Sequence, residues 1–369
     1  MKVLVAPLDW GLGHATRCIP VVQEFLRKGA EVELAVVKAN ASLFREVFPG
    51  LRQRLAPAYN IVYPKHGFGM GAWLLKNSVH LQKVMRYEHH YAEEMVEKHG
   101  YDVLFSDNRF GFYSKSAYNI YMTHQRRIAF PRALSKLESV GVFWHSRIMR
   151  KFDEVWVPDQ EEFPGFAGNL SHVQDCSYPV KFIGVLSRFS NGYKVDSVQN
   201  QVSDLAKKKY NVVAVVSGVE PARTQFERQL RSALKLIPGR HVMILGKPSE
   251  GPNSWTDENI EIFNHLPSIE FAEVVRNANW VVSRGGYSTI MDMSILGAKC
   301  IFVPTPGQYE QEVLAKDLSK SGYAVEIPAK NLSEKTLNEA FAKEVKLPLP
   351  AQCDLLRQTI KSVFEKIKK

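Results

Sequence analysis

From Ser283 to Ala315 the chain reads SRGGYSTIMDMSILGAKCIFVPTPGQYEQEVLA, and these residue types describe an anion site. The apolar residues from Trp280 lead into Ser283-Arg284-Gly285-Gly286 as a strand into a glycine turn, and the spacing after Tyr287 predicts a helix. The first turn of such a helix carries backbone N–H groups with no carbonyl one turn back, so phosphate suits that place. Asp292, further along the helix, is an acceptor-only group suited to both hydroxyls of a ribose, and Gln308 to Glu312 follow the next strand. Together they describe a site for a sugar nucleotide. Ser217-Gly218 form a second strand-to-helix turn able to donate amides to phosphate, and His265-Leu266 lie in a loop against which a flat base could rest.

Near the amino terminus, Gly11 and Gly13 flank a turn that ends in His14, directly after the first strand. An imidazole titrates near pH 6.5 and is suited to taking a proton at neutrality, although a capping histidine would read the same way in sequence. Asp9 is placed either to orient His14 or to cap local backbone. Asp107, Asn108 and Arg109 follow the apolar run VLFS, and His124 ends YMTHQ. Carboxyl ends of parallel strands are where open sheets place ligand groups, so these residues predict a polar cleft floor. Asp107 is a second candidate base, and strand-end hydrogen bonding is an equal alternative for it. A nicotinamide site is disfavoured, because Thr16 and Arg17 stand where a dinucleotide fingerprint would continue and no acidic residue closes the second strand at Val37-Lys38.

These groups need a scaffold of strands with ordered carboxyl ends. Val3–Ala6, Glu31–Val37, Asp102–Ser106, Asn119–Thr123 and Glu154–Val157 read as strands, with a helix over Thr16–Lys28 and another over Leu74–Glu97. A second series begins at Asn211 and continues through Val242–Leu245, Ile260–Phe263, Trp280–Ser283 and Cys300–Val303. The fold class expected is α/β, with two Rossmann-like domains: residues 1–185, a linker over 186–200, residues 201–350, and a terminal helix over 351–369 at the domain boundary. Pro64, Gly67, Gly69 and Gly71 predict an adaptable loop over 60–77 that carries Phe68, Met70 and Trp73.

The length of 369 residues exceeds what one core usually supports, and 45% hydrophobic with 23% charged residues is an ordinary globular balance. Four scattered cysteines without a CxxC pair predict reduced thiols, and the start MKVLVAPLDW predicts neither a signal peptide nor a membrane span. A cytoplasmic protein is expected. The net charge of +10 is concentrated between residues 115 and 151, where Lys115, Arg126, Arg127, Arg132, Lys136, Arg147, Arg150 and Lys151 face Glu138 alone. This field suits peripheral contact with an anionic membrane or a phosphorylated substrate, or is a solvated face. No zinc finger, GXXG clamp or RNA-binding aromatic signature points to nucleic acid.

The segment from Ser283 to Ala315 resembles the donor site of GT-B glycosyltransferases, particularly the MurG-like enzymes of the family 28 type, and GLGHATR resembles their amino-terminal glycine loop. The resemblance runs through nearly the whole chain. It implies two domains facing a central cleft, with the nucleotide sugar on the second and the acceptor, a glycan or a lipid-linked molecule, on the first. It also implies Asp292 at the ribose, Ser288 and Thr289 near the diphosphate, Gln311 and Glu312 near the donor sugar, and His14 near the reaction centre. A UDP-sugar is favoured, UDP-N-acetylglucosamine among them. Asp292 is shorter than the family's usual glutamate and Glu312 replaces a frequent glutamine, which leaves the sugar open. With no DxD signature and no cofactor motif, an inverting displacement without an essential metal is expected. A nucleotide-sugar 2-epimerase and a non-catalytic sugar-nucleotide binding protein are the alternatives.

Overall fold

A computed structural model describes residues 1–9, 12–59, 78–128, 138–174, 177–190, 205, 208–218, 220–247, 253–349 and 354–368. Two compact units divide the chain, one of Met1–Arg188 with Pro350–Lys369 and the other of Phe189–Leu349. The expected 60–77 loop with Phe68, Met70 and Trp73, most of the expected linker, and Gly11 lie outside the described residues.

The first unit is built on seven strands: β1 (Lys2–Pro7), β2 (Glu31–Val36), β3 (Gln53–Leu55), β4 (Val103–Asp107), β5 (Tyr118–Met122), β6 (Glu154–Val157) and β7 (Val180–Phe182). They form one parallel sheet in the order β3-β2-β1-β4-β5-β6-β7. Central strands of a parallel sheet are covered on both faces, which is why Val3, Leu4, Val5, Leu104 and Phe105 form continuous apolar runs with no exposure. The crossing helices are α1 (Leu12–Arg27), α2 (Lys38–Val47), α3 (Ser78–His99) and α4 (Glu138–Met149). Helix α1 begins four residues before the sequence suggests, at Leu12. One glycine inside a helix costs only about 1 kcal/mol, so Gly13 is absorbed into the first turn, held by Ile19, Val22 and Phe25 packing on the sheet.

The second unit repeats the plan with β8 (Tyr210–Val215), α5 (Ala222–Lys235), β9 (His241–Ile244), β10 (Ser254–Asp257), β11 (Ile260–Phe263), α6 (Ser268–Arg276), β12 (Ala278–Ser283), α7 (Tyr287–Leu296), β13 (Cys300–Phe302), α8 (Tyr309–Lys320), β14 (Val325–Glu326) and α9 (Glu334–Phe341). Its sheet runs β10-β11-β9-β8-β12-β13-β14, with β10 alone antiparallel. Val212, Ala214, Phe226, Leu230, Val282, Ile301 and Leu337 form its core. These are two Rossmann-like α/β units, as the strand spacing predicts. The edge strands β3, β7, β10 and β14 escape sequence reading because two to four residues are too few to display a period.

A last helix, α10 (Leu355–Ile367), returns to the first unit and packs on α1. Its Ile360 and Val363 are fully buried, so the apolar stripe is covered by protein rather than presented to a membrane. Lys366 Nζ reaches Glu154 Oε1 at 2.5 Å, and Lys181 Nζ donates to Ser362 Oγ at 2.9 Å.

In each sheet the chain reverses its direction of travel at the first strand. Strand β1 lies between β2 and β4, and β8 lies between β9 and β12. Loops leaving the carboxyl ends of such a pair part to opposite faces and open a crevice.

Candidate active site

At the β1/β4 crevice, Pro7 is in register with Asp107. Helix α1 starts just beyond β1, and His14 and Arg17, three residues apart, share the face that turns toward Asp107. Arg17 Nε lies 3.1 and 3.0 Å from the two Asp107 carboxylate oxygens, and Nη2 makes a further short contact with Oδ1. His14 Nδ1 is 3.0 Å from Asp107 Oδ2 and 2.9 Å from Arg17 Nη2. Arg17 Nη1 is 3.0 Å from His124 Nδ1, and the Cys18 thiol approaches Asp107 Oδ2 at 3.6 Å. The Asp107 side chain is completely covered and that of Arg17 is 2% exposed, whereas His14 is 16% exposed. Of these three, His14 is the one that reaches solvent.

Burial works to raise the Asp107 carboxyl, but the Arg17 charge, and after it His14, outweighs burial and holds it near 2. Burial and then the Arg17 charge lower the His14 imidazole, against the opposing pull of Asp107. Burial and Asp107 push the Cys18 thiol well up, leaving it unreactive.

Several sequence expectations change here. Asp107 is no candidate base, because its oxygens are occupied and its proton affinity is low. His124 is buried beneath Arg17 rather than on an open floor. Arg109 is fully buried, with Nε 2.5 Å from Glu88 Oε1, Nη1 donating to Pro7 O at 3.2 Å and Nη2 donating to Pro57 O. It holds the protein's own backbone and carboxylate, so it has no place at an acceptor. Asn108 adopts the left-handed region (φ 56°) and accepts from Tyr121 Oη at 3.1 Å. Asp9 caps the Tyr59 amide at 2.9 Å. Gly13 gives its carbonyl to Thr16 Oγ1 at 3.0 Å. Arg17, absent from the sequence-based candidates, had one readable signal, its i+3 spacing from His14.

In the second unit, Ser283 is in register with Val215, so Arg284-Gly285-Gly286 and Ser217-Gly218 leave neighbouring strand ends. Gly286 caps α7 in extended conformation (φ −72°, ψ 142°), and Ser288 and Asp292, four apart, share one half-buried face of that helix with Thr289 beside them. A Cβ on Gly285 would stand 3.4 Å from Gln311 O and 3.5 Å from Ala315 Cβ, in ordinary van der Waals contact, so this turn lies close against α8. Gly218 is exposed with a φ of 115°, and Glu220 Oε2 accepts from Thr224 N at 3.2 Å. The α5 amino terminus thus carries a carboxylate of its own beside the expected phosphate turn. Leu266 is buried, which leaves its backbone and the half-buried His265 to line the β11 loop.

Arg284 is the main correction in this unit. Its guanidinium donates from Nη1 to Val303 O at 2.9 Å and Pro304 O at 3.1 Å and from Nη2 to Ala222 O at 3.0 Å, and it lies 4.1 Å above the Phe226 ring. Burial lowers it to about 10, still charged at neutrality. These donors go to carbonyls just after β13 and at the start of α5, so Arg284 braces the backbone beside the glycine turn. Gln311 Oε1 accepts from Thr305 N at 2.9 Å and Glu312 Oε1 from Gly307 N at 3.0 Å, so both fasten the loop before α8.

The basic run is also redistributed. Arg126 is buried, with Nη1 donating to Val173 O at 2.9 Å and its guanidinium over the Tyr178 ring, and Arg127 pairs with Glu138. Lys115, Arg147, Arg150 and Lys151 remain exposed, while Arg132 and Lys136 lie outside the described residues. Among the described residues no helix is long and apolar enough to cross a membrane.

Residues 196–366 match the model of the glycosyltransferase family 28 C-terminal domain. An uncharacterized glycosyltransferase of Methanosarcina mazei is 22% identical over 341 residues, covering 88% of this chain and 84% of its own. The UDP-N-acetylglucosamine–N-acetylmuramyl-(pentapeptide) pyrophosphoryl-undecaprenol N-acetylglucosamine transferase of a Sulfurihydrogenibium species is 30% identical over 143 residues, 36% of this chain and 39% of its own. Among solved structures, the glycosyltransferase SnogD from Streptomyces nogalater superposes with a TM-score of 0.61 at 14% identity, covering 100% of this chain and 96% of that one. A putative UDP-N-acetylglucosamine 2-epimerase from Listeria monocytogenes superposes at 0.62 and 11% identity, covering 99% and 97%. At these identities the structures share the fold.

Proposed function

We propose that this chain, a GT-B-fold, nucleotide-sugar-dependent glycosyltransferase with a family 28 carboxyl-terminal domain, takes its sugar from a UDP donor, UDP-N-acetylglucosamine foremost, and transfers it with inversion to an acceptor hydroxyl. The observation that carries the reading is His14, a solvent-reaching imidazole backed by a buried ionised carboxylate at the β1/β4 crevice. In the tautomer whose Nδ1–H donates to Asp107, rather than the one whose Nδ1 accepts from Arg17 Nη2, the Nε2 lone pair takes the acceptor proton as the oxygen attacks the anomeric carbon and the nucleoside diphosphate departs. Amides of the α7 first turn, with Ser288 and Thr289, stabilise the charge developing on that leaving group, and Asp292 accepts the ribose hydroxyls. The mechanism uses no metal ion as an essential part. The partial likeness to a UDP-N-acetylglucosamine transferase supports this donor class.

Calorimetry of the purified chain with UDP, GDP and dTDP forms of nucleotides and their sugars tests the donor assignment. Selective binding of the UDP series is expected. Asp292→Ala should then weaken it by about tenfold to a hundredfold, the worth of ~1.5–3 kcal/mol for hydrogen bonds to a charged group. Unchanged affinity in Asp292→Ala would remove the ribose assignment, and silence across the panel would remove the donor class. The 2-epimerase reading is favoured by the shared fold alone. It requires UDP-sugar turnover without an acceptor, so acceptor-dependent release of UDP rejects it.

A lipid-linked acceptor at the cytoplasmic face of an anionic membrane fits helix α4. Val140 and Phe143 are each 61% exposed there, and Arg147 and the following Arg150 continue the same face. Phe143→Glu should reduce sedimentation with phosphatidylglycerol vesicles while leaving nucleotide binding intact. Equal sedimentation would favour a soluble glycan acceptor.

A further inference from the structure

We infer that Arg17 is the positioning residue of the His14–Asp107 pair, fixing its orientation and opposing a positive charge on the imidazole. The inference rests on the reading of His14 as the base. A histidine paired with an isolated buried carboxylate gains proton affinity, because each charge stabilises the other, and such an imidazole would meet the acceptor already protonated. Here a third charge intervenes. Arg17 spans both partners, with Nε on the two Asp107 oxygens and Nη2 2.9 Å from His14 Nδ1. It neutralises the carboxylate on one side and opposes a second positive charge on the ring on the other.

Among the described residues, the groups facing the pair are Arg17 and Cys18 from α1 and His124 beyond β5. Cys18 is held as a neutral thiol, so among the described residues Arg17 is the cation and Asp107 the anion of the set. Burial, and after it the Arg17 charge, holds the His14 imidazole below its ordinary value, in keeping with this arrangement. The Arg17 side chain is 2% exposed, against 16% for His14, which separates positioning from catalysis.

The test is a proton titration of the full chain carrying isotope-labelled histidine, followed by NMR, with the His14 signal identified by its loss in His14→Gln. In Arg17→Gln the His14 midpoint should rise by about one pH unit or more, the scale on which a neighbouring like charge disfavours the protonated ring. Arg17→Lys, which retains the charge, should restore a lower midpoint. If Arg17→Gln does not fold, Arg17→Met keeps the packing of the stem and carries the same expectation. A His14 midpoint unmoved in either folded variant overturns the inference and leaves Arg17 a simple buried counter-ion. The base reading stands or falls separately: if His14 moves in Arg17→Gln but His14→Gln retains full turnover, Arg17 still positions the pair and the proton acceptor lies elsewhere.

Discussion

His14→Gln is expected to lower turnover by about 10²–10⁴-fold, the range for loss of a positioned general base, while nucleotide-sugar affinity stays near that of the native chain. The split follows from where the residue sits. His14 is on the first turn of α1 in the amino-terminal unit, whereas the helix start assigned to the donor diphosphate is α7 of the other unit. Glutamine keeps a polar group of similar length but cannot accept a proton near neutrality. The native pH profile should lose activity as pH falls through the depressed imidazole value, and this acid limb should vanish in the variant. Retained turnover, or an acid limb that survives the substitution, would move the proton acceptor away from His14.

Arg109→Met should cost about 3–5 kcal/mol of stability, the usual consequence of leaving one member of a buried ion pair alone. Both side chains of the Arg109–Glu88 pair are completely covered. Glu88 also accepts from Tyr59 Oη at 2.6 Å and from Gly111 N at 2.8 Å, so a stranded carboxylate would sit among α3, the loop at Tyr59 and the turn after β4. Adding Glu88→Gln to Arg109→Met should recover part of the loss, because the amide carries no charge to bury. Denaturant unfolding of the two single variants and the double measures this coupling. A single variant within about 1 kcal/mol of the native chain would show that the pair is not the brace its geometry describes.

Much of the scaffold was legible along the chain. Runs such as VLVA and VVAVV, short and wholly apolar, read as buried strands, and the glycine pair before Tyr287 marks a strand-to-helix turn. The His14–Asp107 pairing was half legible: each residue follows a strand, but nothing local says that the two strands are neighbours. The order β1-β4, which skips two intervening strands, makes them so. Short edge strands and the helical start at Leu12 were not legible, since each depends on a neighbour already in place.

The arginines mark the boundary most clearly. Their number, their excess over acids between 115 and 151, and the position of Arg284 beside a glycine turn are properties of the sequence. Their roles are not. Arg17 finds Asp107 across 90 positions, Arg109 reaches Pro7 across 102, Arg126 turns inward to Val173, and Arg284 binds carbonyls of Val303, Pro304 and Ala222. Periodicity and strand-end placement are local, because they follow from backbone geometry over a few residues, and so the sequence alone determined two α/β units and where their loops emerge. A guanidinium's task depends on which acceptors stand within hydrogen-bonding distance, and that distance exists only after strands remote in sequence have paired.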